Sequence, residues 1–115
     1  FVCPSEDREA VIAGGRYTLA AYLNVPVYKA FHQWLGRSDL LGAHWERWDA
    51  GDRQGALGEI PESVVDELIV HGSPDQCRAR ISQYMENGIT TPALAVMPFG
   101  GIDPIEAIRS LAPSK

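Results

Sequence analysis

Three histidines, two cysteines and a patch of carboxylates are the residues here with reactive side chains, and their spacing excludes most of the chemistry they suggest. His32, His44 and His71 lie 12 and 27 residues apart, which matches no zinc pattern. His32 and His44 could meet across two helices, but histidines satisfied by hydrogen bonds inside the fold are the commoner outcome. Cys3 and Cys77 have no metal-ligand spacing. Cys77 falls on an apolar helix face, which predicts a reduced thiol in the core. Glu46, Asp49, Asp52 and Glu59 read as a solvated acidic face rather than a catalytic carboxylate pair. No Ser-His-Asp or Cys-His set can be assembled. Gly100-Gly101-Ile102-Asp103-Pro104 has neither the lysine and spacing of a Walker loop nor the order of a dinucleotide loop.

The elements that would position these residues are legible from local signals. Ser73 with Gln76 forms a capping box, Pro74 occupies the first helical position, and Asn87-Gly88 is a stop. Cys77, Ile81, Tyr84 and Met85 make the apolar face of that helix. The run from Pro92 to Met97 lacks polar alternation and predicts one clear strand covered on both faces, as in parallel sheets. Phe1 to Cys3 reads as the stub of a second buried strand. Ser5 is expected to cap a helix with Val11, Ile12, Leu19, Tyr22 and Leu23 inward; Gly14-Gly15 weakens that helix or lets something pack close against it, and Pro26 ends or kinks it. A helix from Pro26 places Val27, Phe31, Trp34 and Leu35 inward. Another runs from Ser38-Asp39 through Leu41, His44, Trp45 and Trp48. Residues 52–60 form a loop or short helix, and Pro61 opens a helix carrying Val64, Val65, Leu68 and Ile69. A full capping box at Asp103 and Glu106 opens the last helix, with Ile108 and Leu111 buried. The tail Pro113-Ser114-Lys115 is expected to fray.

Composition sets the outer limits. The chain has 115 residues, 45% hydrophobic and 22% charged, with a net charge of -5. That is long enough for one unit with a real core. The acidic balance without a basic cluster argues against nucleic acid and anionic membrane surfaces. No apolar run spans a bilayer and no signal peptide is visible, so the cytoplasm is the default location.

One strand and one stub cannot make a sheet, so their partners are expected from a missing N-terminal portion or from a second copy of the chain. An exposed edge invites pairing, and a homo-oligomer is expected.

The ordered set Tyr22 to Tyr28, Gly51-Asp52-Arg53, Ile60-Pro61, Val65 to Leu68, His71-Gly72-Ser73-Pro74 and Gly88 to Pro92 resembles the C-terminal part of luciferase-like monooxygenases. The similarity is to the actinobacterial branch of probable F420-dependent oxidoreductases, and it runs from Phe1 to Pro113. It implies an α/β fold, the C-terminal fragment of a (β/α)8 TIM barrel. Residues 1–115 would be a single unit within it: 1–3 the end of strand seven, 5–69 a helical layer with an insertion, 73–97 the closing helix and strand eight, and 103–112 the last helix. The implied activity is that of a flavin- or deazaflavin-dependent oxidoreductase acting on a small molecule. The implied cofactor is F420, with FMN as the alternative, bound in the parent protein and not by this chain alone. Catalytic and cofactor-holding groups in that family lie on earlier strands, so none is assigned here.

On the same resemblance Met97 to Gly101 is the mouth of strand eight, where Phe99 would line a pocket and Gly100 would let a backbone approach a ligand. The competing reading is that Gly100-Gly101 turns the chain toward Asp103. Tyr28, Phe31, His32, Trp34, Trp45 and Trp48 form the richest aromatic patch. It reads either as a lid gripping an apolar substrate or, as helical spacing favours, as packing between helices. Tyr28, His32, Trp45, Phe99 and Gly100 are the candidate substrate-pocket residues. A non-enzymatic helical self-association module is the alternative to the enzyme reading.

Overall fold

Parallel pairing of three short segments organises one end of the fold. The computed structural model describes residues 1–113; the fraying expected at Ser114 and Lys115 lies outside the described residues. The chain is mostly helical. Strand β1 is Val2–Cys3 and is followed by α1 (Arg8–Leu23), α2 (Pro26–Trp34), α3 (Ser38–Asp49), α4 (Arg53–Gly58) and α5 (Glu62–Leu68). Strand β2 (Val70–His71), α6 (Pro74–Glu86), a 3-10 turn at Phe99–Gly101 and α7 (Pro104–Leu111) complete it. Two compact units result, one of Phe1–Val11 with Asp66 onward and one of Ile12–Val65. No helix is long and apolar enough to cross a membrane among the described residues.

In the first unit β1 and β2 pair in parallel, Val2 opposite Val70 and Cys3 opposite His71. Val2 also makes a parallel bridge to Val96, so β1 is the middle segment. Val2 N–H donates to the Ala95 carbonyl at 3.0 Å, and Met97 N–H to the Val2 carbonyl at 2.8 Å. Val2, Cys77 and Leu111 form a core cluster against which Val70, Ile81 and Val96 pack.

The stub at Phe1 to Cys3 is therefore a strand, but the strand expected over Pro92 to Met97 shrinks to a single bridge at Val96. Ala93, Leu94 and Ala95 are exposed rather than covered, Leu94 by 43%. The reason is pairing length: a two-residue β1 can hold only Ala95 to Met97 in register, and no described segment lies on the far side. Strand β2 was not anticipated, because two residues carry no periodicity.

Local signals set the helix boundaries. Ser73 accepts from Gln76 N–H, and Gln76 Oε1 accepts from Ser73 N–H at 2.8 Å, the full box expected. We expect Ser73→Ala to lower stability by about 1 kcal/mol, read as a lower urea midpoint at unchanged slope. Asp103 caps α7 by accepting from both Ile105 and Glu106 N–H. At α1 the cap moves: Asp7, not Ser5, accepts from Ala10 N–H at 3.1 Å, and Ser5 Oγ accepts from Asp7 N–H. Helix α1 runs through Gly14-Gly15 to Leu23.

The second unit packs Ile12, Leu19, Ala20, Leu23, Leu41, Trp45, Ala56, Ile60, Val64 and Val65. Its departures from expectation are concentrated on α2. Val27, Phe31, Trp34 and Leu35 are exposed rather than inward, Trp34 by 79%, and His32 is the buried residue of that helix. Lys29, one turn before His32, has Nζ 5.1 Å from the Trp45 ring centroid and an ion pair to Asp49. Tyr22, Tyr84, Met85 and Ile108 are also exposed where apolar faces were expected. In each case the stripe outlasts the surface available to cover it.

Candidate functional site

Ligands of parallel strand-helix units collect outside the carboxyl ends of the strands. At that end of β2 stands His71, and its Nε2 lies 2.8 Å from Asp66 Oδ1 on α5. Arg8, the first residue of α1, grips the same carboxylate with both terminal nitrogens, at 2.9 and 3.1 Å. Asp66 is held below the usual carboxylate range, first by the hydrogen bonds from Arg8 and then by His71. The His71 side chain is largely covered, while Asp66 is about two-fifths exposed. This cluster orients an imidazole and ties α1, α5 and β2 together.

Sequence reasoning missed this cluster, although it left a trace. A cation in the first turn of a helix opposes the macrodipole, so Arg8 at that position signals a carboxylate partner elsewhere in the fold.

The pH dependence follows from the sign of the shift. Asp66 has a lowered folded pKa, so its contribution is present above its unfolded pKa and is lost as pH falls through the folded value. Asp66→Asn should therefore destabilise the chain near pH 7, and the difference from the parent should vanish in acid, checked by thermal melts from pH 7 to about 2.

The two cysteines are buried and form no disulfide, and the Cys77 thiol donates weakly to the Cys3 and Gly72 carbonyls. Burial, reinforced by the neighbouring Cys3, pushes the Cys77 thiol up to about 11. Burial raises Cys3 as well, against a weaker opposing hydrogen bond from the Phe99 backbone. Neither forms a nucleophilic thiolate near neutral pH. No group of three or more metal-ligating side chains converges among the described residues.

Of the five sequence-predicted pocket residues, Tyr28, His32 and Trp45 lie in the Ile12–Val65 unit and Phe99 and Gly100 in the other. Tyr28 is exposed, its ring centroid 6.0 Å from that of Tyr22. His32 is buried, with Nδ1 3.2 Å from Arg37 Nη1. Burial, then the Arg37 charge, depresses its pKa. Trp45 is buried and its indole N–H donates to the Leu23 carbonyl at 2.9 Å. A groove of this unit is lined by other residues, Tyr17, Ala20, Ala21, Trp48, Arg53, Gln54 and Leu57.

Phe99 is half-buried in the 3-10 turn. Gly100 and Gly101 have φ of 71° and 73°, a geometry that favours glycine, and they lead into the Asp103 cap. A Cβ on Gly100 would come within 3.1 Å of Ala10 Cβ, so close approach of the chain's own α1 already accounts for this glycine.

His32 and His44 keep separate partners. His44 is fully buried, its Nδ1 2.6 Å from the Ala56 carbonyl and its Nε2 2.9 Å from Asn24 Nδ2. Asn24 Nδ2 also donates to the Ala20 carbonyl, so it must donate to Nε2, which fixes the proton on Nδ1. Of the expected acidic face, Asp52 and Glu59 bracket Arg47 at 2.9 and 2.8 Å in solvent.

A second groove, of about 360 Å³, is lined by Phe1, Val2, Leu68, Val70, Ile81 and Tyr84, with the 89–94 segment at its rim. It opens at the amino-terminal ends of the paired segments, away from the end where such units bind ligands.

A flavin phosphate has no evident seat at the carboxyl end. Arg8 is committed to Asp66, and the first turn of α6 is closed by its own capping box. Among the described residues, Arg8 and the start of α6 do not fit that group.

Compared with known protein families, residues 1–91 match the model of luciferase-like monooxygenases. No curated protein and no solved structure matches the chain. With the match covering most of its length, the chain belongs to the luciferase-like monooxygenase family, flavin-dependent oxidoreductases and monooxygenases of TIM-barrel fold.

Proposed function

We propose that this chain is the C-terminal portion of a flavin- or F420-dependent luciferase-like oxidoreductase and has no catalytic activity on its own. The observation that carries the reading is the set of parallel segments. β1, β2 and the Val96 bridge run in one direction, each short and none closing a barrel. Eight staves are needed, and the exposed Ala93 to Ala95 run has the composition of a covered one.

The cofactor site, for F420 or alternatively FMN, lies on the remaining barrel, because the cations and helix terminus at this carboxyl end are already engaged. Tyr28 and Phe99 each keep accessible ring surface within their own unit and are separate candidate substrate contacts. His32 and Trp45 serve packing, and Gly100 serves the turn. The partner of the open segments is the N-terminal barrel portion or, for the chain alone, a second copy.

Titration of oxidised and reduced F420 and FMN into the 115-residue chain tests the cofactor assignment. No saturable binding is expected, and tight stoichiometric binding would overturn it. Light scattering tests the partner assignment: association is expected, and a clean monomer at micromolar concentration removes it.

A further inference from the structure

The groove between α1, α3 and α4 is built for a ligand that none of the above requires. We propose that it binds a small planar aromatic carboxylate. Its volume is about 320 Å³, at the lower end of the range for small-molecule sites. Ala20 and Ala21 leave the floor open, Tyr17 and Trp48 stand as aromatic walls, and Leu57 completes the apolar lining. Trp48 has the His44 ring centroid at 5.8 Å, tilted by 39°, and the Arg53 guanidinium 4.1 Å from its own ring centre.

Arg53 supplies the charge. Of the other cations, Arg8, Lys29, Arg47, Arg78 and Arg109 pair with a carboxylate, Arg16 donates to the Ile60 carbonyl and Arg80 to the Gln83 side chain. Arg53 stacks on Trp48 and donates one Nη1 proton to the Trp48 carbonyl, with no carboxylate partner among the described residues. A guanidinium has five N–H donors in a planar fork that matches a carboxylate, so donors remain for a ligand. An apolar slot with flat walls and one planar cation is complementary to a flat ring bearing one carboxylate. The site lies wholly within the Ile12–Val65 unit, and the inference stands independently of the cofactor assignment.

The test is an amide and indole NMR titration of the 115-residue chain with 2-naphthoate, compared with the uncharged 2-naphthalenemethanol. Saturable shifts at Ala21 and the Trp48 indole are expected for both, with the carboxylate bound more tightly. Arg53→Gln should weaken 2-naphthoate about tenfold while leaving the alcohol unchanged. Ala21→Trp, at an exposed position, should fill the slot and abolish both. Shifts absent up to about 5 mM ligand, shifts centred on α2 instead, or equal loss of acid and alcohol in Arg53→Gln would each overturn the proposal.

Discussion

Val2→Asp is expected to unfold the unit formed by Phe1–Val11 and the chain from Asp66 onward. Val2 is fully buried, packs against Cys77 and Leu111, and among the described residues is the only one paired to both neighbouring segments. An ionised carboxylate without a partner at such a position costs several kcal/mol, against a total of about 5–15 kcal/mol for a whole domain. The measurement is urea denaturation followed by circular dichroism, together with loss of dispersed amide signals from Val70, His71 and Met97. A variant whose midpoint corresponds to less than about 1 kcal/mol of lost stability would show that the β1 register is wrong. Val2→Ala should cost far less, since it removes methyl groups without adding a charge.

The second large effect is at His44. His44→Ala should cost about 3 kcal/mol or more, because a buried carbonyl and a part-buried amide lose their bonds at once. The Ala56 carbonyl loses its donor and Asn24 loses its acceptor, and a cavity opens beside Trp48. His44→Phe separates the two causes. It restores most of the volume, so if hydrogen bonding dominates, it should recover little of the loss. A Phe variant as stable as the parent would mean that His44 acts by shape alone. A double-mutant cycle with Asn24→Ala should give a coupling energy of about 1 kcal/mol.

What the sequence disclosed was set by the range of the interaction. Ser73 with Gln76, Asp103 at α7 and Pro26 at the start of α2 were all readable, because a cap and its donor lie within three residues of each other. The Arg8–Asp66 pair spans 58 positions, and no local rule brings those residues together. Apolar periodicity named a face on α2 but carried no information about what would lie against it. Val27, Phe31 and Trp34 thus came out exposed while His32 went in. The run to Met97 failed for a related reason: its composition reflects two covering layers, and a two-residue β1 supplies only one edge. The aromatic patch split along the same line. Trp45 found a backbone carbonyl and became core, whereas Trp34 found no covering surface.

The middle position of β1 also dictates an order of events in folding. Every hydrogen bond of the parallel segments joins residues near the start of the chain to residues near or beyond position 70, the longest loops this chain can close. The helices of residues 12–65 make their contacts within a continuous stretch, so they can form first and shorten the effective loop before β1 is engaged. Since Val70 N–H and Met97 N–H both donate to carbonyls at the chain's start, release of those first residues frees both sides together. Their amides should then exchange with solvent in one cooperative opening, and a protease that removes the first few residues would dissolve the whole parallel set in a single cut.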